Sequence, residues 1–244
     1  MNEEEFNVES QWKRIWNQRE DHLGVVDASD KKAMFLEMKR MDGFDITDGG
    51  IPYDSLMKQY HLMKEELCLQ EGESVFEVGC GCGANLYLLH EDGLDVGGLD
   101  YSAALLEAMR KAFPEHALKE CICDEAIHLP TDEKYHAVFA NGVFSYFPDL
   151  QYAEAVLERM LAKSIRSIGI LDVLDVKKQE AFIQYRLQNT PDYEERYRDL
   201  PKLFYPRTFF EEFASSHGMN IQLIETEMDG YWNSGFAFDC YLHK

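Results

Sequence analysis

The spacing of apolar residues changes near residue 70. Before it, "SQWKRIWNQRE" places Trp12, Ile15 and Trp16 at i, i+3, i+4, and "KKAMFLEMKRM" repeats the pattern. After the break "TDGGIPY", Leu56, Met57, Tyr60, Met63 and Leu67 form a helical stripe. From Ser74 onward, short apolar runs alternate with helical segments. "SVFEVG", "DVGGLD", "LKECICD", "YHAVFANG" and "RSIGILDVLD" read as strands. Between and after them, "ANLYLLHED", "SAALLEAMRKAF", "DLQYAEAVLERMLA" and "KKQEAFIQYRL" read as helices, with Ser102 as an N-cap and Gly93 as a stop.

Such alternation predicts a parallel sheet covered by helices on both faces, with functional loops at the C-terminal strand ends. The end of the chain departs from it. "TFFEEFASSHG" opens with the capping box Thr208-x-x-Glu211 and closes at Gly218. "NIQLIETEM" and "FAFDCYLH" then follow with only the turn "DGYWNSG" between them, an antiparallel hairpin. The expected fold is therefore α/β: a Rossmann-like, mostly parallel sheet with a C-terminal β-hairpin and a helical N-terminal cap. Residues 1–70 form the cap of the same domain, and 71–244 the main domain with an inserted lid at about 176–206. The core of that insert, "QNTPDYEERYRDLPKLFYPR", is polar, proline-punctuated and rich in Tyr and Arg.

With 244 residues, 45% of them hydrophobic, the chain has enough apolar surface for one sizeable core. A net charge of -21 and scattered basic residues disfavour a nucleic-acid partner. No run reaches the ~20 apolar residues of a membrane span, and "MNEEEFNVES" lacks a signal-peptide pattern. The expected compartment is the cytoplasm and the expected partner a small molecule, for a monomer or homodimer. Cys80-x-Cys82 and Cys121-x-Cys123 miss the usual zinc spacing, so the six cysteines are expected to be reduced, structural thiols with no metal.

The densest signal is "VFEVGCGCGANLYLL", in which Gly79, Gly81 and Gly83 occupy a strand-to-helix turn. Glycines there let the backbone approach a ligand and leave helix N–H groups facing it. Gly79-x-Gly81-x-x-Ala84 also satisfies the dinucleotide fingerprint. Glu77 just ahead of the turn suits a cationic group better than a pyrophosphate. Asp100 ends the second strand where an acid takes ribose hydroxyls, and Asp124 follows the third where it can accept from an adenine amino group.

Together these residues resemble the class I S-adenosylmethionine-dependent methyltransferases of small-molecule type. "EVGCGCG" is similar to their first motif, "GLDYS" to their second, "CDEA" to their third and "FANGVFSYFPD" to their region after strand four. The resemblance covers about Tyr60 to Lys244. It implies S-adenosyl-L-methionine as cofactor and S-adenosyl-L-homocysteine as product. It implies that Gly79, Gly81 and Gly83 pass the methionine moiety and ribose, with Glu77 near the ammonium. Asp100 would then hold the ribose, Tyr101 lie on the adenine, and Asp124, Glu125 and Ala126 read its edge, with Asn141 at the methionine end.

Methyl transfer needs alignment and water exclusion more than a fixed catalytic signature. Acceptor-side candidates are Ser145, Tyr146, Asp172, Asp175, Tyr205, Arg207, Tyr231 and Trp232. Of these, Tyr146, Asp172, Tyr205 and Arg207 are the expected catalytic set. Arg207 and Arg186 can clamp a carboxylate or phosphate, or pair with surface acids. Tyr53, Trp12 and Trp16 stand as pocket-lining or core residues. The expected activity is methyl transfer to an O or N of a small polar metabolite, anionic or strongly polar. A non-catalytic regulatory subunit and an aminopropyl transferase remain as alternatives.

Overall fold

A computed structural model describes residues 12, 14–16, 18, 23–27, 29–44, 50–198 and 200–244. Seven strands make one sheet: β1 Ser74–Val78, β2 Asp95–Asp100, β3 Leu118–Cys123, β4 Tyr135–Asn141, β5 Ser164–Leu174, β6 Asn220–Glu225 and β7 Ala237–His243. Their order is β3-β2-β1-β4-β5-β7-β6. The first five pair in parallel, and β7 runs antiparallel to both β5 and β6. The expected parallel sheet with a closing hairpin is what forms. The order reverses at β1, and there the loops after β1 and β4 diverge and open a crevice.

Strand residues alternate between two cores. Val75, Ala137 and Phe139 face one side, where they meet α1 (Lys31–Lys39), α2 (Tyr53–Glu66), α3 (Ala84–Glu91) and α4 (Ala103–Ala112). Phe76, Val78, Val138 and Ala140 face the other, against α5 (Leu150–Lys163) and α8 (Arg207–His217). The alternation puts Glu77 on the side of α1 and α3, which decides its partners. Of the N-terminal stripe, Trp12 is buried, while Ile15 and Trp16 are half-buried; the rest of that segment lies largely outside the described residues. A wider π-type turn, Arg40–Phe44, follows α1.

Several local expectations meet corrections. Helix α8 begins at Arg207, with Pro206 in the capping position and no side-chain cap, so Thr208 sits inside the first turn. The helix thus starts two residues before the capping box would place it, behind a proline whose fixed φ suits the extended cap position. In the 176–206 insert, α6 (Gln179–Asn189) is the helix expected from "KKQEAFIQYRL", but the proline-punctuated stretch after it is not a bare loop, for it holds α7 (Tyr193–Tyr197). All six cysteines are free, but Cys121 is only half-buried and Cys123 exposed, because β3 is a sheet edge. Ser102 does cap α4, accepting from the Leu105 N–H, and Gly218 closes α8 at φ 64°. Among the described residues no helix is long and apolar enough to cross a membrane.

Strand β2 carries two adjacent glycines for reasons of space. A Cβ on Gly97 would come within 2.5 Å of the Tyr135 hydroxyl, and one on Gly98 within 2.6 Å of Cys80 Sγ and 3.0 Å of Leu86. Both α3 and the turn before it thus settle directly on the strand. Gly98→Val is expected to destabilise the fold by ~1–3 kcal/mol through overpacking. Chemical denaturation measures this, and an unchanged midpoint would contradict the close packing.

Candidate functional site

The turn after β1 needs its glycines for conformation. Gly79 and Gly81 adopt φ of 71° and 55°, and Gly83, at 83°, precedes α3. Side chains at the first two would also land on Val143 and on the Asp42 carboxylate. The turn is fastened from two sides. Asp100 accepts from the Gly81 N–H at 2.9 Å and the Ser102 N–H at 2.8 Å, tying it to the start of α4. Asp42, from the N-terminal cap, accepts from the Cys82 N–H at 2.8 Å. Burial pushes the Asp100 carboxyl up to about 6, while the two N–H donors pull the other way.

Glu77 sits beneath the turn. One oxygen, Oε1, accepts from Asn85 Nδ2 at 2.7 Å, and Asn85 Oδ1 accepts from Lys39 Nζ at 2.8 Å. A cap lysine therefore reaches a sheet carboxylate through one amide. The other oxygen, Oε2, is buried without a hydrogen-bond partner. Burial raises the Glu77 carboxyl to about 8 and lowers Lys39, each against the pull of neighbouring opposite charge. Asn141, at the end of β4, likewise has Oδ1 buried and unpartnered. Both face one cavity of about 910 Å³, near the top of the roughly 300–1,000 Å³ range of small-molecule sites.

Gly79, Gly81, Asp100, Tyr101, Glu125 and Ala126 form one end of this cavity. Tyr146 and Asp172 line it further along, with Trp12 and Trp16 edge-on to the Tyr146 ring at 4.7 and 6.1 Å. The tryptophans thus serve as cavity wall, whereas Tyr53 packs against Phe35 instead. Asp172 lies inside β5, where the pairing with β7 shifts register between Ile170 and Val173, and adopts a left-handed conformation, φ 59°. Such a conformation is costly for a non-glycine residue and is sustained by its surroundings. Its N–H donates to Asp239 Oδ1 at 2.8 Å. Its carboxylate accepts from the Tyr231 hydroxyl at 2.5 Å and from Asn233 Nδ2 at 2.9 and 3.1 Å. Burial lifts this carboxyl to about 7, and the two donors temper the rise.

Six expected site residues, Ser145 and Asp175 among them, stand off the cavity wall. Gly83 serves the turn into α3, beside Met109. Asp124 is exposed, accepting from the Glu125 N–H and facing His128 across 2.9 Å. Tyr205 is wholly buried between aromatic rings, its hydroxyl donating to the Phe144 carbonyl at 2.8 Å. Arg207 pairs with Asp175 at 2.9 Å and Glu225 at 2.5 Å, the plain alternative of pairing with nearby acids. Conversely, Lys39, Asp42 and Asn85 were not legible as site residues, because nothing in their local sequence marks them.

The family model described as a methyltransferase domain matches residues 76–169. Trans-aconitate 2-methyltransferase of Rhizobium etli is 35% identical over 109 residues, 43% of this chain. The match spans about two fifths of that relative, 41% of its length. Among solved structures, magnesium protoporphyrin IX methyltransferase from Synechocystis with bound SAH superposes with a TM-score of 0.60 at 15% identity, over 79% of this chain and 84% of that one. The plantazolicin methyltransferase BpumL with SAH reaches 0.57 at 15% identity, over 98% and 96%. The match makes residues 76–169, which hold the glycine turn and its flanking acids, a methyltransferase domain, and the fold is shared with SAH-bound methyltransferases over nearly the whole length of the chain.

Proposed function

We propose that the chain binds S-adenosyl-L-methionine at the glycine turn and transfers its methyl group to an O or N of a small polar metabolite. The observation that carries this reading is the pair of buried, unpartnered acceptors, Glu77 Oε2 and Asn141 Oδ1, facing the cavity beside Gly79. Such atoms cost ~1–3 kcal/mol each when left unmade, and a ligand ammonium answers both. The glycine cradle and Asp100 fit the rest of the same cofactor. A scaffold without a ligand has no reason to keep these acceptors bare. The Rhizobium etli relative, named for a small carboxylic acid, supports a small acceptor.

The cofactor supplies an electrophilic methyl on a sulfonium that departs as a neutral thioether. The chain's own residues align and dry the acceptor. In this reading the cap walls the cavity with Trp12 and Trp16, and the 176–206 insert covers the acceptor end with Tyr193 and Tyr197. Asp172 is the proton acceptor: it lines the cavity, and Tyr231 and Asn233 fix its orientation. With its carboxyl at about 7, it is part-ionised at neutral pH, as a general base requires.

Asp100→Ala is expected to weaken S-adenosylhomocysteine binding by ~1.5–3 kcal/mol, as measured by isothermal titration. A folded variant with unchanged affinity would remove Asp100 from the cofactor site. Turnover with an identified acceptor should rise as pH increases through about 7, because only ionised Asp172 accepts a proton. Asp172→Asn should lose ~10²–10⁴-fold in rate and that limb of the profile. A profile unaltered by the substitution would take the base role away from Asp172.

A further inference from the structure

The two ends of the cavity want opposite things. At the glycine turn the bare atoms are acceptors, Glu77 Oε2 and Asn141 Oδ1. At the far end they are donors. Arg186, from the last turn of α6, is 5% exposed, and its Nε is buried with no partner among the described residues. Trp12, 7% exposed, leaves Nε1 in the same condition. Both residues line the cavity.

The Arg186 guanidinium is packed rather than paired. Its carbon lies 4.5 Å from the Trp232 ring centroid, 5.3 Å from Tyr193 and 5.7 Å from Tyr197. Aromatic faces hold a guanidinium by cation–π attraction and leave its edge, with the N–H donors, free. Among the described residues it makes no salt bridge, although the chain has 45 acidic residues against 24 basic ones. Arg207, by contrast, takes two carboxylates. A second cation, Lys202, lines the same cavity with Nζ 4.5 Å over the Tyr146 ring, again without a salt bridge among the described residues. A buried cation that avoids the protein's own acids is costly unless something else neutralises it.

We infer that Arg186, held in the Trp232–Tyr193–Tyr197 nest, anchors a carboxylate of the acceptor, with Lys202 and Trp12 Nε1 as additional donors. A planar carboxylate matches the forked guanidinium edge and leaves the nucleophilic atom of the same molecule free to turn toward Asp172. Tyr231 connects the two groups in the chain, adjoining Trp232 and donating to Asp172. The assignment deepens the methyltransferase reading and rests on it for the identity of the acceptor, while the anchor itself is tested separately.

The test is isothermal titration of the full chain, saturated with S-adenosylhomocysteine, against aliphatic and aromatic mono-, di- and tricarboxylic acids, with their amides as neutral controls. At least one acid should bind while its amide does not. Arg186→Met, close in volume, should weaken that acid by tenfold or more with S-adenosylhomocysteine affinity unchanged. Because it removes a buried unpaired charge, its melting temperature should be unchanged or raised. Arg186→Lys keeps the charge but not the fork, and should bind the acid more weakly than wild type; it serves equally if the Met variant does not fold. The anchor is wrong if no acid binds, if acid and amide bind alike, or if both variants bind the acid as wild type does. Acid binding that depends on Arg186 in a chain with no affinity for S-adenosylhomocysteine would keep the anchor and sink the cofactor assignment.

Discussion

Glu77, next to the last residue of β1, carries a carboxyl that the fold buries and only half satisfies. One oxygen is held by Asn85, itself held by Lys39, and the other meets no donor. Much of the architecture bears on this one group. The period-two alternation of β1 turns it toward the helical cap, and the cap supplies Lys39 and Asp42 to the two sides of the glycine turn. Such a cap is part of the site rather than decoration on a completed domain. Withdrawing it would leave Asn85 without its lysine and the Cys82 N–H without its acceptor.

A second constraint follows from charge. Carboxylates crowd the glycine end of the cavity, and burial raises the ones that count, Glu77 and Asp100, toward neutral pH. The far end is cationic and aromatic. Between them lies Asp172, in a strained backbone conformation and under three hydrogen bonds to its carboxylate oxygens. In the reaction proposed above, the two ligands meet at Asp172 with their reacting atoms aligned, between a cation-seeking end and an anion-seeking end.

Much of this was readable in the sequence, for physical reasons. Parallel strands covered on both faces appear as continuous apolar runs, and the left-handed turn demands glycine, so β1, its turn and Asp100 stand out. The rest was hidden by distance along the chain. Asp42, in "KRMDGFD", looks like any surface acid, and only folding brings it to Cys82, forty residues on. Arg186 and Arg207 look alike in a Tyr-rich stretch. The fold sends one to Asp175 and Glu225 and packs the other beneath Trp232. Tyr205 was misplaced because an aromatic before a helix is equally suited to a pocket wall or a core. A buried carbonyl, that of Phe144, claims its hydroxyl.

Proton release on binding addresses the central claim most directly. With its carboxyl raised to about 8, Glu77 at pH 7 in the free protein mostly carries a proton on Oε2, since Oε1 accepts from Asn85, and Oε2 becomes the bare acceptor only when that proton leaves. A ligand ammonium against Oε2 would favour the ionised form and expel that proton. Titrating S-adenosylhomocysteine in buffers of different ionisation enthalpy should therefore show close to one proton released per ligand at pH 7. The release should fade above pH 8 and vanish in Glu77→Gln. Binding with no net proton release, or with the same release in Glu77→Gln, would contradict the account.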